Sequence, residues 1–342
     1  MKNHRTTIHD IARELKIDSS TVSRALNNNS KVTAKTKAKV IAKAKELGYQ
    51  RNLLASNLRQ SKSNTIGVVV PRISRYFFST VIAGIEESAF KTGFNVVICQ
   101  SQESLEKEQA IIKNLISNRV DGVIISIAME TQNGEHLKQL KNNGIPLVFF
   151  DRFCPEVQES SQVLIDDQQA AYDAVNHLIS QGCSKIVHFS GPQTLEIYKN
   201  RLRGYKLALL ENNLPFKEEL VINSPLMEAN GYEETQKLLD AKIDFDGIFS
   251  ANDIAAIGAL KHLKEKGKRI PEDIAVIGFS NEPSSKVIEP PLSTIDQSAF
   301  EIGKNAYDLL IDNIKRGEKE VLHKTITLKS TLLARGSSLR KK

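Results

Sequence analysis

Apolar positions recur at helical spacing through the first fifty residues and gather into short runs beyond residue 64. Ile8, Ile11, Ala12 and Leu15 fall on one side of a helix over 8–15, the three-and-four spacing that buries a single stripe. Thr7 precedes it as an N-cap with Asp10 three places on, an approximate capping box that also suits the helix dipole. Lys16 and Ile17 leave the pattern, Asp18 caps a second helix, and Val22, Ala25 and Leu26 can face the first. After the polar turn NNNSK, Thr33 caps a third helix striped by Val40, Ala44 and Leu47 and stopped at Gly48. Residues 52–59 are long enough for only one or two helical turns, too short to stand alone in water, and the Ser and Lys after Arg59 read as linker.

Farther along, TIGVVV (65–70), FNVVICQ (94–100), VDGVIISI (120–127) and PLVFFD (146–151) alternate with helical segments near 78–92, 105–118 and 134–143. A second set starts at VLI (163–165) and continues through KIVHFS (185–190), LVI (220–222), GIFSAND (247–253) and IAVIGFS (274–280). The alternation predicts βαβ units and parallel sheets. Two such sets predict two doubly wound lobes, with a ligand site at the carboxyl ends of the strands, in the cleft between lobes.

Charge changes the picture of the head. Residues 1–62 carry fourteen Lys and Arg against four Asp and Glu, a net of +10, so with +7 for the whole chain the remainder sums to −3. A basic head on a mildly acidic body predicts a polyanion bound at one end only. The second helix exposes Ser19, Ser20, Thr21, Ser23, Arg24 and Asn27. These are donors and acceptors without bulk, a surface that fits a DNA major groove. A polar hairpin at the edge of a larger domain would share that pattern, and the local excess of cations weighs against it.

The 342 residues suggest about two domains of ordinary size. Cys99, Cys154 and Cys183 show neither a CxxC pair nor a disulfide framework, which fits a reducing cytosol. The first ten residues hold no apolar signal core and no stretch is long enough to span a bilayer, so a soluble, cytoplasmic, nucleoid-associated protein without membrane partners is expected. Enzyme signatures are missing: no GxGxxG after a strand, no phosphate loop, no HExxH, and His residues 4, 9, 136, 177, 188, 262 and 323 lack metal-ligand spacing. Ser190 follows a strand but lacks the GxSxG elbow, and strand-end Ser before Gly-Pro is turn chemistry. No catalytic residue, cofactor or metal is expected.

The head TTIHDIARELKIDSSTVSRALNNNSKVTAKTKAKVIAKAKELGY followed by NLLASNL resembles the LacI/GalR family of bacterial transcription regulators, with helix-turn-helix, third helix and hinge in family order and spacing. The resemblance implies an all-α three-helix helix-turn-helix head (1–50), a hinge helix and linker (51–63), and a two-lobed α/β core like periplasmic sugar-binding proteins (64–342). Lobe 1 would comprise about 64–162 and 293–330, and lobe 2 about 163–292. It further implies that Ser19, Ser20 and Arg24 read bases, that Thr7, Thr21, Ser23, Asn27 and Thr33 contact phosphates, and that Asn52, Ala55 and Leu58 belong to a DNA-contacting hinge with Leu58 as minor-groove wedge. Arg51 stands where the family usually has Pro, which removes a rigid turn at the entry to the hinge.

By the same resemblance, Phe77, Phe78, Asp166, Arg201, Asn252, Asn281 and Gln297 point into the cleft around a small-molecule effector. Arg201 would fork two donors onto vicinal hydroxyls or a carboxylate, with an interlobe salt bridge as its alternative role. For the Asn252–Asp253 pair the local pattern alone gives helix capping, and the resemblance favours display in the cleft. Ser280 replaces the family's usual carboxylate and Leu226 the aromatic that often stacks on a sugar face. A pocket that loses an acceptor and keeps Arg201 is expected to take a sugar-derived effector that is acidic or phosphorylated rather than a neutral hexose. The expectation is thus a homodimeric regulator, acting as a repressor on a pseudo-palindromic operator of double-stranded DNA. The alternative is a cytosolic solute-binding or sugar-modifying α/β protein whose basic head does something else; steep salt dependence on one DNA sequence separates the two.

Overall fold

The computed structural model describes residues 6–49, 63–158, 160–317 and 323–340. Arg51 and the hinge residues Asn52, Ala55 and Leu58 lie outside them. The chain divides into two compact units at Ser63/Asn64.

The first unit holds α1 (Ile8–Leu15), α2 (Ser19–Leu26) and α3 (Ala34–Glu46). Its core is Ile11, Ala12, Val22, Ala25, Val32, Val40 and Ala44, with Ile8, Leu15, Leu26 and Leu47 packed at the margin. These are small side chains in a small unit, which leaves its stability modest. Asp10 completes the start of α1 by accepting from the Thr7 backbone N–H at 2.8 Å and from Thr7 Oγ1 at 2.7 Å. Lys16 ends α1 in a left-handed conformation (φ 52°), and Ile17 N–H returns to the Ala12 carbonyl at 3.1 Å. Asp18 caps α2 through its backbone carbonyl, which accepts from Thr21 and Val22, and makes no side-chain cap bond. Gly48, at φ 61°, stops α3 as its position suggested.

The second unit is built on two parallel sheets. The larger joins β1 (Thr65–Val70), β2 (Asn95–Gln100), β3 (Gly122–Ile125), β4 (Leu147–Phe150), β5 (Ser161–Ile165) and β11 (Thr325–Leu328) in the order β11-β5-β4-β3-β1-β2. The smaller joins β6 (Ile186–Phe189), β7 (Val221–Ile222), β8 (Gly247–Ser250) and β9 (Ala275–Ile277) in the order β7-β6-β8-β9. Antiparallel β10 (Thr294–Asp296) and β12 (Thr331–Leu333) form a separate ribbon. Fully apolar strands such as GVII and LVFF are buried along their whole length because helices cover both faces.

On one face of the larger sheet lie α4 (Tyr76–Thr92) and α12 (Ala299–Arg316); on the other, α5 (Leu105–Ser117) and α6 (Glu135–Asn142). The smaller sheet is covered by α7 (Asp167–Ser180) and α8 (Glu196–Glu211) on one side and α9 (Glu228–Asp240) and α10 (Asp253–Glu265) on the other. A short α11 (Ser284–Val287) follows β9. One helix pair meets through two glycines: a Cβ on Gly303 of α12 would lie 2.1 Å from the Val81 carbonyl oxygen of α4, and one on Gly84 of α4 would lie 2.2 Å from that of Phe300 of α12.

The structure moves one boundary. VLI (163–165) was expected to open the second lobe, but β5 pairs with β4 and β11 in the larger sheet. The chain therefore crosses between lobes after β5, again through β10, and a third time after β11. Helix 298–316 was expected on the first lobe, and α12 packs there; β11 and β12 were not anticipated at all.

Candidate nucleic-acid interface and ligand cavity

On α2, Val22 and Ala25 turn inward and leave Ser20, Arg24 and Asn27 exposed. Their spacing of four and three places them in one stripe along the helix. Ser19, Thr21 and Ser23 flank it, partly exposed, and Asn27 Nδ2 donates to the Ser23 carbonyl at 2.8 Å. Thr7 and Thr33 are exposed at the starts of α1 and α3, where Thr33 Oγ1 accepts from Thr36 N–H at 3.3 Å. The head thus presents one narrow polar ridge with a single guanidinium in its middle, flanked by N-terminal helix ends that suit phosphates.

In the second unit a cavity opens between the two sheets. Its walls follow the carboxyl ends of the strands: Arg75, Phe77 and Phe78 after β1, Asp151 and Arg152 after β4, Ala251, Asn252 and Ile254 after β8, Ser280 and Glu282 after β9, and Gln297 after β10. Ile197, Tyr198 and Arg201 enter from α8. This is the place where a doubly wound sheet gathers ligand contacts, because the loops there come from several strands.

Five of the seven expected cleft residues line this cavity: Phe77, Phe78, Arg201, Asn252 and Gln297. Asp166 and Asn281 do not. Asp166 is exposed and caps α7, accepting from Gln169 N–H at 2.9 Å. Both ends of the Asn281 amide are held elsewhere: Nδ2 donates to Asp296 at 2.7 Å and Oδ1 accepts from Arg335 at 2.7 Å. Asn252 reaches the cavity wall but serves as a brace, accepting from Ala255 N–H at 2.8 Å and donating to the Leu226 carbonyl at 2.9 Å. Asp253, expected beside it in the cleft, is fully buried and accepts from Thr294 Oγ1 and Glu282 N–H, each at 2.7 Å. Its carboxyl is pushed up to about 7 by burial, against the pull of those two donors.

Arg201 is 3% exposed, with Nε and Nη2 both 2.7 Å from Asp167 Oδ1 and Nη1 2.7 Å from the Ala251 carbonyl. Its guanidinium lies 3.7 Å from the centroid of Phe279. Arg152 donates to Glu103 at 2.8 Å, with Asp151 3.7 Å from its Nε. Asp151 takes a left-handed backbone (φ 58°) that aims its carboxyl at the cavity, and burial raises its pKa. Asp167 is raised to about 6, also by burial, with Arg201 opposing the shift. Arg75 and Glu282 approach from opposite lobes and attract one another.

Ser280 removes one carboxylate, but Asp151 and Glu282 line the cavity with Arg75, Arg152 and Arg201, and Glu103 and Asp167, outside the lining, pair with Arg152 and Arg201. Aromatic surface is not lost with Leu226, which is buried in the core; Phe77, Phe78 and Tyr198 supply it. Arg75, Asp151, Arg152, Tyr198 and Glu282 were missed. The Asp151–Arg152 pair directly after the apolar run LVFF was a legible sign, since polar residues at a strand's carboxyl end face the cleft.

Residues 7–52 match the family described as bacterial regulatory proteins, lacI family. Residues 175–338 match a periplasmic binding protein-like domain. Catabolite control protein A of Priestia megaterium is 33% identical over 308 residues, 89% of this chain and 91% of that protein. The chain belongs to the LacI family. Two solved structures extend the likeness over the fold. The lac repressor dimer bound to operator and the anti-inducer ONPF shares 26% identity at a TM-score of 0.88, covering 98% of this chain and all of that one. A LacI family regulator from Enterococcus faecium with bound ribose shares 32% identity at a TM-score of 0.71, covering 81% of this chain and all of that one. This LacI-family chain is therefore a sequence-specific DNA-binding transcription regulator with an effector-binding core. No helix among its described residues is long and apolar enough to cross a membrane.

Proposed function

We propose that this regulator binds a neutral, polyhydroxylated sugar between its lobes and that the sugar sets the operator affinity of a homodimer acting as a repressor. The observation that carries the ligand class is that Arg152 and Arg201 are each paired with a carboxylate and Arg75 is drawn by the charge of Glu282, beside the rings of Phe77, Phe78 and Tyr198. Such walls offer donors and acceptors to hydroxyls and apolar faces to a pyranose or furanose ring, without an unbalanced charge for an acid or phosphate. The ribose held by the Enterococcus faecium relative supports this class. On the DNA side, Ser19, Ser20 and Arg24 reach base edges while Thr21, Ser23, Asn27, Thr7 and Thr33 fix the head on phosphates. The dimer reading draws on the lac repressor dimer solved on its operator.

Calorimetry of the purified chain against matched neutral, uronic and phosphorylated sugars tests the ligand class. The neutral member of a matched set should bind at least tenfold tighter than its acidic counterparts. Preference for a uronic acid or sugar phosphate would overturn the charge argument.

A further inference from the structure

Ser280 and Asn281 are consecutive non-glycine residues with positive φ, 113° and 51°. Side chains adopt that backbone only where the surroundings enforce it. The turn presents Ser280 and Glu282 to the cavity, and Ser280 Oγ donates to Gln297 Oε1 at 3.0 Å. Its geometry therefore fixes three cavity residues at once.

The enforcing groups are identifiable. From beneath, Asp253 accepts Glu282 N–H at 2.7 Å, and Thr294 Oγ1 accepts Asn281 N–H at 3.1 Å while donating to Asp253. From the side, Arg335 on the segment after β12 donates through Nη2 to Asn281 Oδ1 at 2.7 Å. Its Nη1 donates to Ser285 Oγ and to the Leu292 carbonyl, each at 2.8 Å. One planar guanidinium thus grips the loop 281–292 at its beginning, in α11 and at its end. It is not among the residues that line the cavity.

We propose that Arg335 is a positioning residue for effector recognition, holding the strained Ser280–Asn281 turn so that Ser280, Glu282 and Gln297 meet the ligand in one arrangement. The inference rests on the assignment of the cavity as the effector site. A fork is needed because the acceptors are reached from two separate nitrogens, Nη1 and Nη2, where an ammonium presents only one.

The test uses the full chain with Arg335→Met, Arg335→Lys and Asn281→Gly. The last removes the gripped amide while easing the backbone, so it keeps the test informative if Arg335→Met fails to fold. Amide hydrogen exchange without ligand should quicken at least tenfold at Ser280–Glu282 in Arg335→Met and Asn281→Gly, with β6 and α8 unchanged. For D-ribose or cellobiose, whichever the wild type binds, both variants should lose at least tenfold in affinity, and Arg335→Lys should recover part of it. Unchanged exchange at the turn, or unchanged affinity for a sugar the wild type binds, would overturn the role of Arg335. A wild type that binds neither sugar counts against the neutral-sugar reading alone, and exchange at the turn still decides the inference.

Discussion

Arg201 and Asp167 form a buried pair within one lobe, with Nε and Nη2 converging at 2.7 Å on the same carboxylate oxygen. The bond joins α8 to α7, so it is neither an interlobe bridge nor a guanidinium waiting unpaired for a ligand. It fixes the plane of Arg201 before a sugar arrives, with Phe279 stacked beneath it. Removing one partner leaves the other charged and buried, which costs roughly 3–5 kcal/mol. Arg201→Ala should therefore lose both sugar binding and stability. Asp167, already raised to about 6, can then escape by taking a proton. The stability loss measured by urea unfolding should accordingly be smaller at pH 5 than at pH 8; an equal loss at both would contradict the pairing.

His188 sits neutral in the core, stacked at 4.7 Å on Phe249, and burial lowers its pKa to about 4. An unfolded histidine protonates near 6.5, so between pH 6.5 and 4 the unfolded chain binds the extra proton. Stability from this group is full above that window and falls as pH drops through it, by roughly 3 kcal/mol at most. His188→Phe should flatten that acid limb. The chain has no tryptophan, so circular dichroism in urea at several pH values is the suitable probe, and an unchanged slope would remove His188 from the account.

Arg24 is the one guanidinium on the exposed ridge of α2. If it donates bidentately to guanine, Arg24→Ala should cost roughly 1–3 kcal/mol on the specific site and relax one position in each half-site. Selection of sites from random DNA distinguishes this from a phosphate contact, for which binding weakens equally on all sequences.

Much of this was legible in the sequence, and the exceptions have physical causes. Periodicity placed α1 to α3 within a residue or two because each has a cap at its start and an apolar stripe. The runs GVII and LVFF announced buried parallel strands. VLI looked like the opening of a new lobe because β5 closes one βαβ series and its crossover leads to the next; pairing, which decides membership, is non-local. TITL at β11 alternates polar and apolar as an edge strand does, a weaker signal than a buried run. At the cavity, residue types were predictable and bond partners were not. Nothing local indicates that Asp167 neutralises Arg201 or that Arg335 turns the Asn281 amide from the ligand.

Gly303 shows the same limit in packing. A Cβ there meets the Val81 carbonyl oxygen at 2.1 Å, so α4 and α12 must separate to accept it. Gly303→Ala should lower stability by about 1–3 kcal/mol despite the better helix propensity of Ala. A stabilised variant in urea unfolding would show that the helices part freely.

Occupancy of the interlobe cavity should change how the head holds DNA, which requires the sugar to favour one of two states of different operator affinity. Fluorescence anisotropy of the full chain on its selected operator, titrated with the sugar that binds in calorimetry, measures this directly. Operator affinity should shift by about tenfold or more, with the change half-complete near the calorimetric Kd of the sugar and saturating well above it. An operator affinity unchanged at sugar concentrations that fill the cavity would contradict it.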